Sequence, residues 1–405
     1  MAIVVAHPDT QHSLAAARGL KKARLLECLF TSFSLKRPSW LGSTMRVLSP
    51  TTYRRLAQHR GHAGLSPAEV CVFPLHLASR LVRSWDRRTR SAFARAAGRL
   101  ALKRGAGLLA FNSNAAEAFR QLEGRGVPCV LDQAIAHRRW RDRNGAAELA
   151  AFPGWASAAD SWAVAPYLLA EAEEEVARAD LILCGSEFCA STMVEEGVPR
   201  DQLAVVEYGT NTERFSPAPE PARMERGLRL LFVGALVLRK GIPYLLEAIK
   251  LLERLHPRLT LAGSVGVRPE ALRAYAELIE IRGAMLHEEM PDLYRSHDIY
   301  VFPSLVEGSS LSIYEALSSG LPVITTPNSG SIVRDGVEGI IVPPRDTEAL
   351  AAAIERLATD PELRREMGRA ARRRAIEYGD WSHYGERLVS TLEARFPELN
   401  KTHRS

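Results

Sequence analysis

Two glutamates lie eight positions apart in the C-terminal half of the chain, around the start of one helix. Glu307 follows a short apolar strand predicted at Ile299–Phe302, and Glu315 falls in the second turn of the helix that Gly308 opens. A helix N-terminus offers unpaired backbone N–H groups and the positive end of the helix dipole, so it can hold an anion. The two carboxylates can accept hydrogen bonds from hydroxyl groups. This segment therefore predicts a phosphate or sugar-phosphate site.

A basic pair lies at the corresponding point of an earlier strand. The strand predicted at 228–233 is followed by Gly234, and Arg239 and Lys240 come before the next helix. Because parallel strands end at one edge of a sheet, this pair and Glu307 should face the same cleft. Two cations beside helix N-termini can neutralise a diphosphate, and no aspartate pair at a strand end indicates a metal. Alone, the pair is more typical of a solvated turn; its position opposite the two glutamates favours the site.

Polar loops also follow two strands of the N-terminal half. His7, Gln11 and His12 lie in the loop after the first strand, and His137 lies in the loop after the strand predicted at 128–131. These loops should face the cleft, where the side chains could bind an acceptor or a diphosphate. A hydrogen-bonded loop histidine explains them equally well. A metal would need a third ligand that the sequence does not supply nearby.

Short apolar strands alternate with helices almost throughout, which is typical of parallel sheets covered by helices. We therefore predict an α/β protein with two Rossmann-like domains that face each other across a cleft. The predicted boundaries are an N-terminal domain at 1–207, a linker at 208–227, a C-terminal domain at 228–380, and a final helix at 381–405 that packs back on the N-terminal domain. The strands are predicted at 2–6, 26–31, 68–73, 107–111, 128–131, 181–184, 203–207, 228–233, 259–262, 284–287, 299–302, 323–325 and 339–342.

The second domain resembles a known family. Residues 228–346 resemble the nucleotide-sugar-binding domain of retaining glycosyltransferases of the GT-B fold, family GT4, the glycosyl transferases of group 1. The resemblance implies a metal-independent enzyme that needs no cofactor beyond its nucleotide-sugar donor. The matching segments are Gly234 with Arg239-Lys240-Gly241, residues 290–294, 298–304, the pair Glu307 and Glu315, 319–323 and 334–339, and the similarity extends back through 179–183 and 207–211.

The resemblance implies that the N-terminal domain binds the acceptor and that the C-terminal domain binds the nucleotide-sugar donor. It also implies roles for the acidic and histidine residues. The second glutamate of the family binds the ribose hydroxyls of the nucleotide, so Glu315 would inherit that role. The first binds the transferred sugar near the reacting face, which assigns Glu307. His137 lies where the family places a cleft histidine and is a candidate catalytic residue beside Glu307.

The resemblance also implies which residues bind the diphosphate of the donor. Arg239 and Lys240 would neutralise the leaving diphosphate next to Gly234, a form of electrostatic stabilisation. The arginine that commonly follows the strand-end glycine in the family is Ala235 here, so Arg239 would replace it. The residues whose backbone N–H groups would hold sugar hydroxyls and phosphate are Gly308, Ser309, Ser310 and Leu311.

These assignments predict transfer of a sugar from a nucleoside diphosphate donor to a hydroxyl acceptor, which could be a glycan, a glycolipid or a small molecule, with retention of configuration. A nucleotide-sugar epimerase of the same fold is an alternative, but it would need a different motif set. A nucleotide-sugar-binding protein without turnover is another, because of Ala235. A dinucleotide oxidoreductase is not indicated, since no G-x-G-x-x-G follows a strand.

The formal net charge of +6 conceals an asymmetry, because residues 1–104 carry 19 Lys and Arg against 4 Asp and Glu. This first part of the chain favours a negative partner such as an anionic membrane surface, although the arginine-rich helix predicted at 78–104 could equally be a solvated face. No aromatic-interleaved basic motif indicates nucleic acid. Without a long apolar run or a signal-peptide pattern, we expect a cytoplasmic protein that could attach to the inner face of the cell membrane.

Overall fold

The computed structural model describes residues 1–9, 12–32, 64–73, 86–157, 166–218 and 227–399. They form two parallel β-sheets, one built from the strands before residue 207 and the other from the strands after residue 228. Gln11 and the basic stretches 33–63 and 74–85 lie outside the described residues. Within the described part of the chain, no helix is long and apolar enough to cross a membrane.

The first sheet has seven strands in the order β3-β2-β1-β4-β5-β6-β7. Neighbouring strands pair in parallel, and β1 and β4 at the centre are buried along their whole length, which explains their continuous apolar runs. The strands are β1 Ile3–Ala6, β2 Leu26–Thr31, β3 Val70–Val72, β4 Gly107–Phe111, β5 Cys129–Gln133, β6 Leu181–Cys184 and β7 Leu203–Val205.

The second sheet has six parallel strands in the order β10-β9-β8-β11-β12-β13. Strands β8 and β11 are adjacent at its centre, so the loops that follow them open side by side at the carboxyl edge of the sheet. The strands are β8 Arg229–Val233, β9 Arg258–Ala262, β10 Ile279–Gly283, β11 Ile299–Phe302, β12 Val323–Thr325 and β13 Gly339–Ile341.

Thirteen α-helices connect and flank the strands within the described residues. They are α1 Ser13–Lys22, α2 Asp86–Arg104, α3 Ala116–Leu122, α4 Arg138–Ala151, α5 Pro166–Arg178, α6 Glu187–Glu195, α7 Ile242–Leu251, α8 Pro269–Leu272, α9 Met290–Arg295, α10 Leu311–Ser318, α11 Thr347–Thr359, α12 Pro361–Glu377 and α13 Trp381–Arg395.

The prediction of a strand at 284–287 was wrong, because the strand there is β10, Ile279–Gly283. This strand pairs only with β9 at the sheet edge, and its side chains are largely exposed. It therefore alternates apolar and charged residues instead of showing a continuous apolar run. The sequence also predicts a helix at 269–279, which in the structure shortens to α8, Pro269–Leu272. The prediction also missed α4, whose first turns are rich in arginine and have no clear apolar stripe.

The final helix α13 packs on α1, the first helix of the N-terminal half. The two helices cross at glycines: a Cβ on Gly19 would lie 2.6 Å from the Cα of Gly385. Lys22 at the end of α1 pairs with Glu386 of α13 at 3.1 Å. The C-terminal end of the chain is thereby attached to the first domain.

A second junction between the two halves runs through α4. Glu148 on this helix is buried, and its carboxylate accepts hydrogen bonds from Arg345 and from the Tyr244 hydroxyl at 3.0 Å, both in the second half. Just beyond α4, Ala156 forms an antiparallel bridge with Val267. These contacts place α4 against the C-terminal sheet domain.

Candidate functional site

Glu307 lies at the carboxyl edge of the second sheet, in the loop after β11, and is almost fully buried. Its Oε1 is 2.5 Å from Nη1 of Arg239, contacts Nζ of Lys240, and accepts a hydrogen bond from Ser304 Oγ at 3.1 Å. Burial would raise the pKa of this carboxyl, but the two cations outweigh burial and lower the pKa below its ordinary value. Glu307 is therefore an anion held in place by two cations.

The turn after β8 delivers the basic pair to Glu307. Arg239 and Lys240 end a 3-10 turn, Leu238–Lys240, and Gly241 follows with a φ of +72°. A side chain at Gly241 would collide with the carbonyl oxygen of Pro303, so the turn can press against the end of β11 only with glycine there. This packing places Arg239, Lys240 and Glu307 at the same carboxyl edge of the second sheet, as the sequence predicts.

Lys240 is buried at 8% exposure, with its ammonium 4.5 Å from the centre of the Phe302 ring. Burial lowers its pKa to about 8, against the attraction of Glu307. Arg239 is more exposed and also donates to the carbonyl of Val306 at 3.2 Å. The pair is thus one buried and one accessible cation, both on the same carboxylate.

Some of the backbone N–H groups at the start of α10 already have hydrogen-bond acceptors within the protein. Ser310 N donates to Ser329 O at 3.2 Å, so this group is not available to a ligand as the sequence analysis assumed. Within the residues that the structure describes, the N–H groups of Gly308, Ser309 and Leu311 donate to no acceptor. They remain the candidates at this helix start. Directly after β8, Gly234 N donates to Ala262 O at 2.9 Å, which ties the end of β8 to β9.

Glu315 lies in the second turn of α10, one turn after the helix N-terminus that follows Glu307. Its Oε2 accepts a hydrogen bond from the Tyr294 hydroxyl at 2.9 Å, while its Oε1 accepts none from any described residue. Burial raises the pKa of Glu315 to about 7, although the bond from Tyr294 lowers it. A carboxylate with one free oxygen and an unfavourable environment is prepared to accept hydroxyl hydrogen bonds.

The two halves of the chain touch at the start of this site. Ala136 N donates to Glu307 O at 3.3 Å, and the Ser186 hydroxyl donates to Gly308 O. A Cβ on Gly308 would collide with the carbonyl of Ala134. Loops of the first sheet therefore lie directly on the Glu307 loop, so groups from both halves meet here.

His12 is part of a buried network rather than an open loop. Its Nε2 is 2.8 Å from Asp132 Oδ2, and its ring lies 4.0 Å from that of Tyr208. The Tyr208 hydroxyl donates to the other oxygen of Asp132 at 3.3 Å. His7 is also buried: its Nδ1 accepts from Asp9 N at 2.9 Å, and burial lowers its pKa to about 4. Both histidines lie at the carboxyl edge of the first sheet, and Gln11 between them is outside the described residues.

His137 caps helix α4. Its Nδ1 accepts a hydrogen bond from Arg139 N at 3.2 Å, and its own N–H donates to Thr192 Oγ1 at 3.0 Å. Burial lowers its pKa, and the charged groups around it include Glu196 and Glu173 rather than Glu307. The structure therefore does not bring this side chain to the Glu307 cluster, and only its Nε2 is uncommitted.

Arg141, one turn into α4, is the residue that the sequence analysis missed. It lies close enough to Arg239 and Glu307 for their charges to act on it, and burial together with Arg138 and Arg239 lowers its pKa to about 10. Its Nε is buried without a hydrogen-bond partner among the described residues. The sequence signal that could have identified Arg141 is the basic run Arg138-Arg-Trp-Arg directly after the His137 loop.

Across the ranges described above, no group of three or more His, Cys, Asp or Glu could hold a metal ion.

Residues 227–360, which contain the Glu307 cluster and Glu315, match the family described as glycosyl transferases group 1. The match covers the second sheet with α7 to α11, about a third of the chain, and the predicted resemblance to this family is thereby confirmed.

Two curated glycosyltransferases illustrate the similarity. The chain is 32% identical over 233 residues to D-inositol 3-phosphate glycosyltransferase of Streptomyces bingchenggensis, covering 51% of each chain. It is 28% identical over 287 residues to the MMP alpha-(1->4)-mannosyltransferase of Mycolicibacterium hassiacum, covering 67% of each. The match thus spans about half of the first relative and two thirds of the second.

Solved structures are similar to this chain in fold. Sucrose-phosphate synthase from Thermosynechococcus elongatus superposes with a TM-score of 0.69 at 19% identity, over 98% of this chain and 100% of that one. Anabaena HepE in complex with UDP-glucose superposes with a TM-score of 0.63 at 15% identity, over 97% and 100%. The predicted α/β architecture of two Rossmann-like domains, the GT-B fold, is confirmed.

Proposed function

We propose that this protein is a retaining glycosyltransferase that moves a sugar from a nucleoside diphosphate sugar to a hydroxyl acceptor. The observation that carries the proposal is the Glu307–Arg239–Lys240 cluster at the carboxyl ends of β8 and β11. It lies inside the segment that matches the group 1 family. Cations, a carboxylate and open backbone N–H groups at one helix start suit a phosphorylated sugar.

Arg239 and Lys240 would bind the diphosphate of the donor. Both now contact one oxygen of Glu307, so each has further N–H donors for phosphate oxygens. Glu307 would accept hydroxyl hydrogen bonds from the transferred sugar, and the free oxygen of Glu315 would accept those of the ribose. A nucleotide-sugar donor is also what the HepE structure contains, in the form of UDP-glucose.

The leaving group is the centre of the proposed mechanism. As the bond from the anomeric carbon to the phosphate oxygen breaks, negative charge develops on the diphosphate, where the two cations stabilise it. Glu307 is paired with these cations and is therefore poorly suited to attack as a nucleophile. The acceptor hydroxyl would add on the face that the phosphate leaves, and its proton would pass to the departing phosphate oxygen. This same-face substitution retains the anomeric configuration.

Because Nδ1 of His137 caps α4 and its side chain lies near Glu196 and Glu173, we expect a helix-capping role rather than the catalytic role that the sequence predicts. Substitution His137→Asn separates the two roles, because asparagine is a good helix N-cap. Lost turnover with unchanged donor binding would support a catalytic role. Unchanged turnover would reduce His137 to a helix cap.

Arg141 suggests a property of the acceptor. It adds a buried cation from the first domain near the Glu307 cluster, and its Nε has no hydrogen-bond partner among the described residues. A hydroxyl acceptor that also carries a phosphate or carboxylate would satisfy it. One similar protein is named for D-inositol 3-phosphate, which is consistent with such an acceptor.

The decisive experiment is a donor assay. The protein is incubated with UDP-, GDP- and ADP-sugars, and release of the nucleoside diphosphate is measured with and without acceptor. NMR of the product then reports the anomeric configuration, and an inverted centre would reject the proposed mechanism. Glu315→Ala should abolish nucleotide binding in calorimetry, whereas Glu277→Ala, an exposed glutamate of the same domain, should leave it intact. Tight nucleotide binding without any turnover would favour the non-catalytic alternative that Ala235 raised.

Attachment to an anionic membrane remains a separate proposal. On α2, Arg87 pairs with Glu171, Arg95 lies near Glu117, and Arg104 pairs with Glu27, so part of its positive charge is compensated. This pairing favours a solvated helix face for α2 itself. Co-sedimentation with anionic liposomes at low and high salt tests the proposal, and no binding at either salt would refute it.

A further inference from the structure

A second basic site lies on the opposite edge of the C-terminal sheet from Glu307. A groove of about 820 Å³ opens at the amino ends of β8, β11 and β12, and seven of its sixteen lining residues are arginines. Arg229 begins β8, and Pro322 directly precedes β12. Helix α12 forms the other wall. The donor site lies at the carboxyl ends of the same strands, so the groove is a separate place on the molecule.

The lining of the groove has a large excess of positive charge. Its single carboxylate is Asp298, which is already bound by Arg229 through Nε at 3.1 Å and Nη2 at 2.9 Å. Carboxylates outside the lining pair with further arginines: Asp292 with Arg295, and Glu362 with both Arg365 and Arg369. The cations still outnumber these carboxylates by seven to three.

Some guanidinium groups in the groove are held ready for a ligand. Arg372 donates through Nη1 to the carbonyls of Thr212, Phe215 and Ser318, each at 2.8 Å, which fixes its plane. Its other nitrogens have no partner in the described ranges. Arg373 is exposed and makes no hydrogen bond or ion pair with any described residue. A fixed guanidinium loses little freedom when it binds a planar array of oxygens.

Ser319 provides an observation that does not depend on charge. It lies in the groove, directly after α10, and is only 4% exposed. Its hydroxyl is buried and has no hydrogen-bond partner in the part of the chain that the structure describes. An unsatisfied buried hydroxyl costs free energy, so its presence points to an acceptor oxygen supplied from outside the protein.

We propose that this groove binds an anion with two or more clustered phosphate groups, at a site distinct from the donor site. Arginine forks match phosphate oxygens in geometry, and several of them in one groove favour more than one phosphate. Ser319 would donate to one of these oxygens. The proposal is independent of the proposed transferase activity.

The test uses inorganic tripolyphosphate as the probe and the full chain as the protein. Calorimetry at low salt should show binding that weakens about tenfold or more in Arg369→Glu/Arg373→Glu, both exposed positions. The control Arg99→Glu/Lys103→Glu changes the net charge equally on an exposed face of α2 and should keep the affinity. Equal affinity in the two double variants, or no binding to the unmodified protein, would overturn the proposal.

Two further variants test whether tripolyphosphate binds in the groove rather than in the donor site, and whether the Ser319 hydroxyl contributes to that binding. Lys240→Ala removes a cation of the donor site and should leave tripolyphosphate binding to the groove intact. Complete loss of binding in this variant would assign the probe to the donor site and overturn the proposal. Ser319→Ala should weaken binding severalfold while the protein stays folded, because its hydroxyl has no partner in the protein to lose. Unchanged affinity in Ser319→Ala would contradict the role of the hydroxyl.

A sedimentation experiment with lipid vesicles tests whether the phosphate groups belong to a lipid or to a soluble ligand. Vesicles of phosphatidylcholine and phosphatidic acid are sedimented with the protein in the presence and absence of tripolyphosphate. Groove-dependent sedimentation that tripolyphosphate displaces would identify lipid headgroups as the source. Tripolyphosphate binding without sedimentation would identify a soluble ligand.

Discussion

Substitution Glu315→Gln tests the donor site through both stability and binding. Glutamine has nearly the same shape, so the bond from Tyr294 can persist while the ionisable group disappears. Burial raises the pKa of Glu315 to about 7, against a value of 4.5 for an ordinary glutamate. The native protein therefore bears a cost for ionising this group that the unfolded chain does not.

The size and sign of that cost follow from the two pKa values. A difference of 2.5 units at about 1.36 kcal/mol per unit gives about 3.4 kcal/mol. Between pH 4.5 and about 7 the native state binds the extra proton, so stability falls as the pH rises through this window. Glu315→Gln should thus equal the wild type in stability near the bottom of the window and exceed it by up to about 3 kcal/mol above pH 7.

The stability assay is urea unfolding of both proteins across this pH range. Glu175 is a buried carboxyl whose pKa burial also raises to about 7, but it is present in both proteins and cancels in the difference. A difference that stays flat with pH would refute the argument that burial raises the pKa of Glu315.

The binding assay gives the second half of the test. Nucleoside diphosphate affinity of the wild type should fall as the pH drops below about 7, because the protonated carboxyl accepts ribose hydroxyls less well. Glu315→Gln should bind weakly at every pH. A variant that is more stable yet keeps full nucleotide affinity would refute the ribose role while leaving the pKa argument intact.

Three further results are expected. Nucleotide affinity should decline above pH 8, because burial lowers the pKa of Lys240 to about 8, whereas Lys240→Arg should remove this decline; titrations in stepped pH buffers check it. Arg345→Ala leaves the Glu148 carboxylate buried without its cation and should cost about 3 kcal/mol in urea unfolding, and a loss below about 1 kcal/mol would contradict the proposed junction. Asp132→Ala should cost about 3 kcal/mol by removing the partner of His12, whereas Asp132→Asn keeps a hydrogen bond and should cost clearly less; equal thermal unfolding of the two variants would argue against the buried pair.

Local patterns determined the elements of this protein well. Strands with a neighbour on both sides in a parallel sheet are largely apolar, so β2, β4, β6, β11 and β12 could be placed from the sequence with the bounds that the structure gives. The edge strand β10 was misplaced because it is exposed and lacks that pattern. Helix α4 was missed because its inward side is polar.

The sequence by itself determined that Glu307 and the Arg239-Lys240 pair share a sheet edge, since every parallel strand presents its carboxyl end on the same side. Tertiary structure alone decided how those side chains pair. Glu307 is clamped by both cations only because the Gly241 turn fits against Pro303.

Contacts between distant segments decided the remaining features. His12 meets Asp132 across 120 positions of sequence, and Arg141 approaches Glu307 from the other domain. The arginine groove forms where α12 packs beside strand ends that are far from it in sequence. Residue types and spacing encode which groups lie at the end of an element, but the packing of one element on another decides which of those groups meet, because that depends on burial and on the exact approach of surfaces.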